Sequence, residues 1–137
     1  EHRFEAGTPK IAEAIGWDAA LGYLGNLNLE EQHHRLLNIA RYVADELRSM
    51  NMTVYGRHDD GDSAVVSFLH PTLHSEDLAH LLDARGVAVR TGHHCAQPLL
   101  HRLGINGTVR ASFYIYNTME EAEQFIQHTK EILERFA

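Results

Sequence analysis

Met52–His70, MTVYGRHDDGDSAVVSFLH, decides the class of fold, because here the pattern changes from helical spacing to residues that suit a sheet. Its two flanks, MTVYG and SAVVSFLH, are rich in β-branched and aromatic side chains, which pack well on a pleated surface. The polar RHDDGD between them, residues 57–62, reads as a turn, so two neighbouring strands are predicted.

Upstream the spacing is helical. Asn28 is suited to cap a helix in which Leu36, Leu37, Ile39, Ala40, Val43, Ala44 and Leu47 form one apolar stripe. Before it, Thr8 as N-cap and Pro9 at the first helical position predict a helix to about Leu24, with Ile11, Ala12, Ile15, Ala19, Ala20 and Leu24 recurring at helical spacing. Downstream, Ser75 caps a helix over Leu78, Leu81 and Leu82 that Gly86 ends. VAVRT, residues 87–91, reads as a short strand, AQPLLHRLG, residues 96–104, as a loop with one helical turn, and TVRASFYIY, residues 108–116, as a longer strand. Thr118 followed by Glu121 forms a capping box for a last helix, with Phe125, Ile126, Thr129, Ile132, Leu133 and Phe136 toward the core. The order α-α-β-β-α-β-β-α specifies an α+β fold: a small, mostly antiparallel sheet with helices packed on one face. No internal repeat or low-complexity tract interrupts it, and GNLN, Gly25–Asn28, is the natural internal boundary.

At 137 residues with 44% hydrophobic and 23% charged residues, the chain is long enough to bury its own core. Twelve Lys plus Arg against nineteen Asp plus Glu, a formal charge of −7, argue against a nucleic-acid partner, since phosphate contacts need a basic surface. No apolar run approaches a membrane span, and EHRFEAGTPK lacks the apolar block of a signal peptide. With one cysteine no internal disulfide can form, and a reducing cytoplasmic setting is expected.

That cysteine, Cys95, sits in RTGHHCAQPL, Arg90–Leu99, after two histidines and in a glycine-containing loop that follows a strand. A free thiol is only a few per cent ionised at neutral pH, and Arg90, His93 and His94 are placed to favour the anion. A lone cysteine also serves as a small buried hydrophobe, and the local chemistry leaves both readings open. No metal site is expected, because adjacent His-His-Cys cannot readily converge on one ion. Strand alternation puts Thr108, Arg110 and Ser112 on one face and Val109, Ala111 and Phe113 on the other. A guanidinium at Arg110 can clamp a carboxylate through two parallel bonds, or simply lie along the sheet. Gly7 and Thr8, ahead of a helix N-terminus, have the geometry to receive an anion, or to begin an ordinary helix.

Taken together, RFEAGTP at Arg3–Pro9, AIG at Ala14–Gly16, GVAVRTGHHCAQPLL at Gly86–Leu100 and VRASFYIYNTMEE at Val109–Glu121 resemble the C-terminal portion of the class V aminotransferase-related cysteine desulfurases. Within that family the likeness is to the SUF-type (group II) branch, close to selenocysteine lyases, and it covers essentially the whole chain. The resemblance implies the small domain of a fold type I pyridoxal 5'-phosphate enzyme. Such an enzyme takes sulfur from L-cysteine, releases L-alanine and leaves a persulfide for a sulfur-acceptor protein of iron–sulfur cluster assembly. It implies Cys95 as nucleophile, Arg110 as the substrate-carboxylate ligand, Arg90 as a second active-site arginine and His93 and His94 as loop residues for proton movement or shape. Gly7 and Thr8 would reach the cofactor phosphate of the neighbouring subunit in a homodimer.

The family's cofactor-linking lysine belongs to an upstream large domain, and neither Lys10 nor Lys130 lies in a matching motif. The expectation is therefore a piece of a longer enzyme, with residues 1–26 the tail of the large domain and 27–137 the small domain, inactive alone. Two other readings stand beside it: a sulfur-carrier or persulfide-relay domain that works without the cofactor, and an interaction module with an inert thiol.

Overall fold

Periodicity and propensity agree over the long elements. The structure is a computed structural model that describes residues 2–56 and 63–136; the turn expected over residues 57–62 lies outside the described residues. The chain divides into two units, Glu1–Gln32 and His33–Ala137.

In the first unit a short 3-10 turn at His2–Phe4 precedes helix α1, Ile11–Gly25. The helix starts two residues later than Thr8-Pro9 predicts. Lys10 has φ −78° and ψ 74°, and the Ile11 amide donates to the Pro9 carbonyl at 2.9 Å. This is an inverse γ-turn, which reverses the chain before the helix can begin and leaves Thr8 outside the cap. No residue of α1 is buried: Ile11, Ile15, Trp17, Leu21 and Tyr23 all lie exposed.

Helix α2, Leu29–Ser49, is capped as expected: Asn28 Oδ1 accepts from the Glu31 amide at 3.3 Å, and Asn28 Nδ2 donates back to Glu31 Oε2 at 2.9 Å. In the second unit its stripe of Leu36, Ile39, Ala40, Val43, Ala44 and Leu47 is buried. Strands β1 (Thr53–Tyr55) and β2 (Val65–Leu69) pair antiparallel. Helix α3 (Ser75–Asp83) follows, then strand β3 (Arg90–Gly92), helix α4 (Gln97–Leu103), strand β4 (Thr108–Ser112) and helix α5 (Met119–Phe136). The four-stranded sheet has the order β1-β2-β4-β3 and every pairing is antiparallel. One face carries Val66, Phe68, Val109 and Ala111 into a core shared with Ile39, Val43 and Leu47 of α2, Leu78 and Leu82 of α3, and Phe125, Ile126 and Ile132 of α5.

Several boundaries differ from the sequence reading. Ser75 is not the cap of α3 but its first residue, because extended His74 offers its ring Nδ1 to the Glu76 amide at 3.3 Å, as an Asn side chain would. The 96–104 stretch makes a seven-residue helix rather than one turn, with Pro98 in its first turn and Gly104 at φ 69° closing it. Val87–Val89 stays outside the sheet, so β3 is short. Strand β4 ends at Ser112, and FYIY turns away: the Tyr114 amide donates to Asn117 Oδ1 at 2.9 Å and the Asn117 amide to the Tyr114 carbonyl at 2.8 Å. Arg35 of α2 donates to the Ile115 and Asn117 carbonyls, both at 2.6 Å, fixing that turn. The Thr118/Glu121 capping box is made in both directions, at 3.1 and 3.2 Å. Phe136, expected toward the core, is 47% exposed at the end of α5.

Candidate active site

The face of the sheet opposite the core supplies the site. In the register, Ser67 stands opposite Arg110, and Arg110 opposite Arg90, so the three share a row and, by strand alternation, one face. Two guanidinium groups directly across a strand pair repel one another. Neither has an acidic partner among the described residues. The Nε of Arg110 is buried without a hydrogen-bond partner there. Chemically, such a pair of planar donor forks can take a carboxylate-shaped acceptor.

Immediately after Arg90 and β3 the chain enters the thiol loop. Gly92 has φ 101°, His94 φ 52° and Cys95 φ 59°. Two consecutive non-glycine residues in the left-handed region cost on the order of 1–3 kcal/mol each, so the surroundings must impose this geometry. The Ala96 amide donates to the His93 carbonyl at 2.8 Å and closes the turn. Its effect is to turn the thiol outward: Cys95 is free and exposed. The sulfur shares a concavity of about 480 Å³ with Arg90, His93 and His94.

Four of the residues singled out in the sequence, Arg90, His93, His94 and Cys95, are thus brought to one hollow, and Arg110 stands across the strand pair from Arg90. Gly7 and Thr8 lie in the first unit, exposed, in a bend ahead of α1. His94 is not open to solvent in the way its neighbour His93 is. Its Nε2 lies 2.9 Å from Thr108 Oγ1 and 3.1 Å from the Thr108 carbonyl. Burial, above all, together with the charges of Arg110, Arg90 and His93, holds its ring below the usual imidazole value of 6.5, against the opposing pull of the Thr108 hydrogen bond. Thr108 itself is buried. The sequence reading missed this threonine as a site residue; only the strand register, which places it opposite Gly92, puts it beside the loop.

Among the described residues no group of three or more His, Cys, Asp or Glu is arranged to hold a metal ion. No helix there is long and apolar enough to cross a membrane.

The sequence profile of the class-V aminotransferases matches residues 1–125, and the chain belongs to that family. Within it, the chain is similar to proteins named probable cysteine desulfurases. It is 41% identical over 136 residues to one from Staphylococcus epidermidis and 42% identical over 132 residues to one from Pyrococcus abyssi, covering 98% and 96% of this chain and 33% of each relative. Among solved structures it superposes on the apo cysteine desulfurase of Thermococcus onnurineus NA1 with a TM-score of 0.89 and 41% identity, over 96% of this chain and 33% of that one. On the Escherichia coli cysteine desulfurase CsdA, solved in an S-sulfonic acid form, the TM-score is 0.86 at 34% identity, over 95% of this chain and 32% of that one. The chain therefore spans about a third of the length of the relatives it matches.

Proposed function

We propose that this chain is the sulfur-accepting portion of a SUF-type cysteine desulfurase, in which the Cys95 thiolate takes the sulfur of L-cysteine and Arg110 binds the substrate carboxylate. The observation that carries the reading is an exposed thiol, held on consecutive left-handed residues, in one hollow with Arg90, whose cross-strand partner Arg110 likewise has no acidic partner among the described residues. In this scheme the bond between the substrate's Cβ and its sulfur breaks, a bond between that sulfur and Cys95 Sγ forms, and a proton replaces sulfur on Cβ. L-cysteine and a thiol become L-alanine and a persulfide, with atoms and electrons balanced. Arg90 steadies the anionic substrate at the mouth of the hollow, and His93, exposed there, is placed to exchange the proton with solvent.

Pyridoxal 5'-phosphate is the cofactor this reading requires, and the residues present fit the role of its partners. The exposed Gly7-Thr8 bend, ahead of α1, would meet its phosphate within a homodimer. A linking amine is not part of the thiol hollow: Lys130 lies instead beside Tyr42, Glu46 and Glu123 on α2 and α5. When bound, the cofactor is an electron sink that opens the substrate's sulfur to attack. Residues 1–26 then belong with the large domain and 27–137 form the small one. A sulfur-acceptor protein of iron–sulfur cluster assembly, in the cytoplasm, collects the persulfide sulfur.

The test is alanine release from L-cysteine by a protein of the relatives' full length carrying these residues. Cys95→Ser should abolish multiple turnover while leaving cofactor binding intact. Undiminished turnover in that variant would refute the assignment.

A further inference from the structure

The mechanism above leaves one well-made feature unused: the bond between His94 and Thr108, which joins residues fourteen apart across the strand pair. A carbonyl oxygen can only accept, so the Thr108 carbonyl at 3.1 Å suits the neutral tautomer with its proton on Nε2, which Thr108 Oγ1 at 2.9 Å also meets. That leaves Nδ1 as the bare nitrogen, and it is buried with no partner among the described residues. A ring with one nitrogen committed to Thr108 and the other out of contact with solvent is poorly placed to relay a proton. It does have what an anchor needs. Thr108 is 3% exposed and sits in a strand, so it offers a fixed point.

The same place holds a second contact. A Cβ added to Gly107 would lie 3.2 Å from both the Cα and the carbonyl oxygen of Gly92, so the backbone before β4 packs closely on the root of the thiol loop, and a side chain there would fit only if that root gave way by a few tenths of an ångström. Gly92 and His94 thus tie the loop to Gly107 and Thr108 on either side of His93. Cys95, the next residue, shares the left-handed backbone of His94.

We propose that His94 is a positioning residue which, through Thr108, latches the Cys95 loop to the start of β4 and so fixes where the thiol points. The catalytic consequence, slower sulfur transfer with unchanged cysteine binding, rests on the function proposed above; the latch itself does not.

Amide exchange in the 137-residue chain separates the two. The reporter is the Ala96 amide, which closes the loop turn. Thr108→Val, which keeps the β-branched shape and the carbonyl but removes Oγ1, should accelerate Ala96 exchange about five-fold, the factor to which one hydrogen bond of average net worth corresponds. His94→Leu, losing both bonds, should accelerate it further, and Thr108→Ser should restore the wild-type rate. Amides of β2 and α5 should be unchanged in all three. Wild-type exchange at Ala96 in both Thr108→Val and His94→Leu would overturn the proposal. So would acceleration spread evenly over the sheet, or a Thr108→Ser variant that behaves like Thr108→Val. None of these readouts depends on turnover, so a desulfurase reading that failed would leave the latch standing, and the reverse.

Discussion

Arg90 and Arg110 stand opposite one another with no carboxylate between them, and this gives one substitution two opposite effects. Arg110→Gln removes a like-charge pair across the strands, so the ligand-free chain should gain a few tenths to about 1 kcal/mol in denaturant unfolding. The same change removes a charge-assisted hydrogen bond to any bound carboxylate, worth roughly 1.5–3 kcal/mol, so calorimetry should show carboxylate affinity falling tenfold or more. A variant that lost both stability and affinity would contradict the anion-receptor reading. At His94 the sign is that of a base whose folded value is depressed. As pH falls, the unfolded chain takes up the proton first, so the stability this ring contributes is complete above about 6.5 and is lost as pH drops through its lower folded value. An NMR titration should place the His94 ring below 6.5; a midpoint at or above that value would contradict the environment described. At this scale Arg90, His93, His94, Cys95 and Arg110 could be singled out as candidates from residue type alone, and the structure brings the first four to one hollow. Thr108 could not, because its role depends on a partner fourteen residues away that only the strand register brings near.

Among the elements, α5 has the most explicit start signal. Glu121 accepts from Asn117 Nδ2 at 3.0 Å as well as from the Thr118 amide, and these bonds hold its carboxyl below the usual range. Its contribution is present above the unfolded carboxylate value and lost as pH falls through the lowered one. Thr118→Ala should cost about 1 kcal/mol of stability, measured by denaturant unfolding, with exchange quickening first at the amide of Glu121. No change at that amide would mean the box is not in use. The turn that ends β4 is held by Arg35 from a helix some eighty residues away; Arg35→Met should release Tyr114–Asn117 to faster exchange while β2 and β4 stay protected. Apolar periodicity revealed α2 and α5 because each buries a stripe on its own helix face. Where an end depends on a distant side chain, as β4 does on Arg35, or on an unconventional cap, as α3 does on His74, the local sequence carries no signal of it.

For the molecule as a whole, the core of the second unit carries stability and the opposite face of its sheet carries the candidate site. Phe68 is fully buried against Phe125, their rings 6.1 Å apart. Phe68→Ala should cost about 3–5 kcal/mol, a large share of the 5–15 kcal/mol typical of a domain, and should lower the thermal midpoint steeply. Apart from α4, read as a loop with one turn, the order of strands and helices was readable from alternation and spacing, and so was the layer of helices on one face of the sheet. Their pairing order, which brings β3 and β4 together and so assembles two arginines from separate motifs, was not, since nothing local records which strand a segment meets.

The most direct measurement is the mass of the Cys95-bearing peptide after a full-length protein containing these residues, loaded with pyridoxal 5'-phosphate, is given L-cysteine without an acceptor. One added sulfur atom on Cys95, formed in step with alanine and missing from the Cys95→Ser protein, is the predicted result. Alanine formed while that peptide keeps its unmodified mass would contradict the account, as would the same added sulfur when the cofactor is left out.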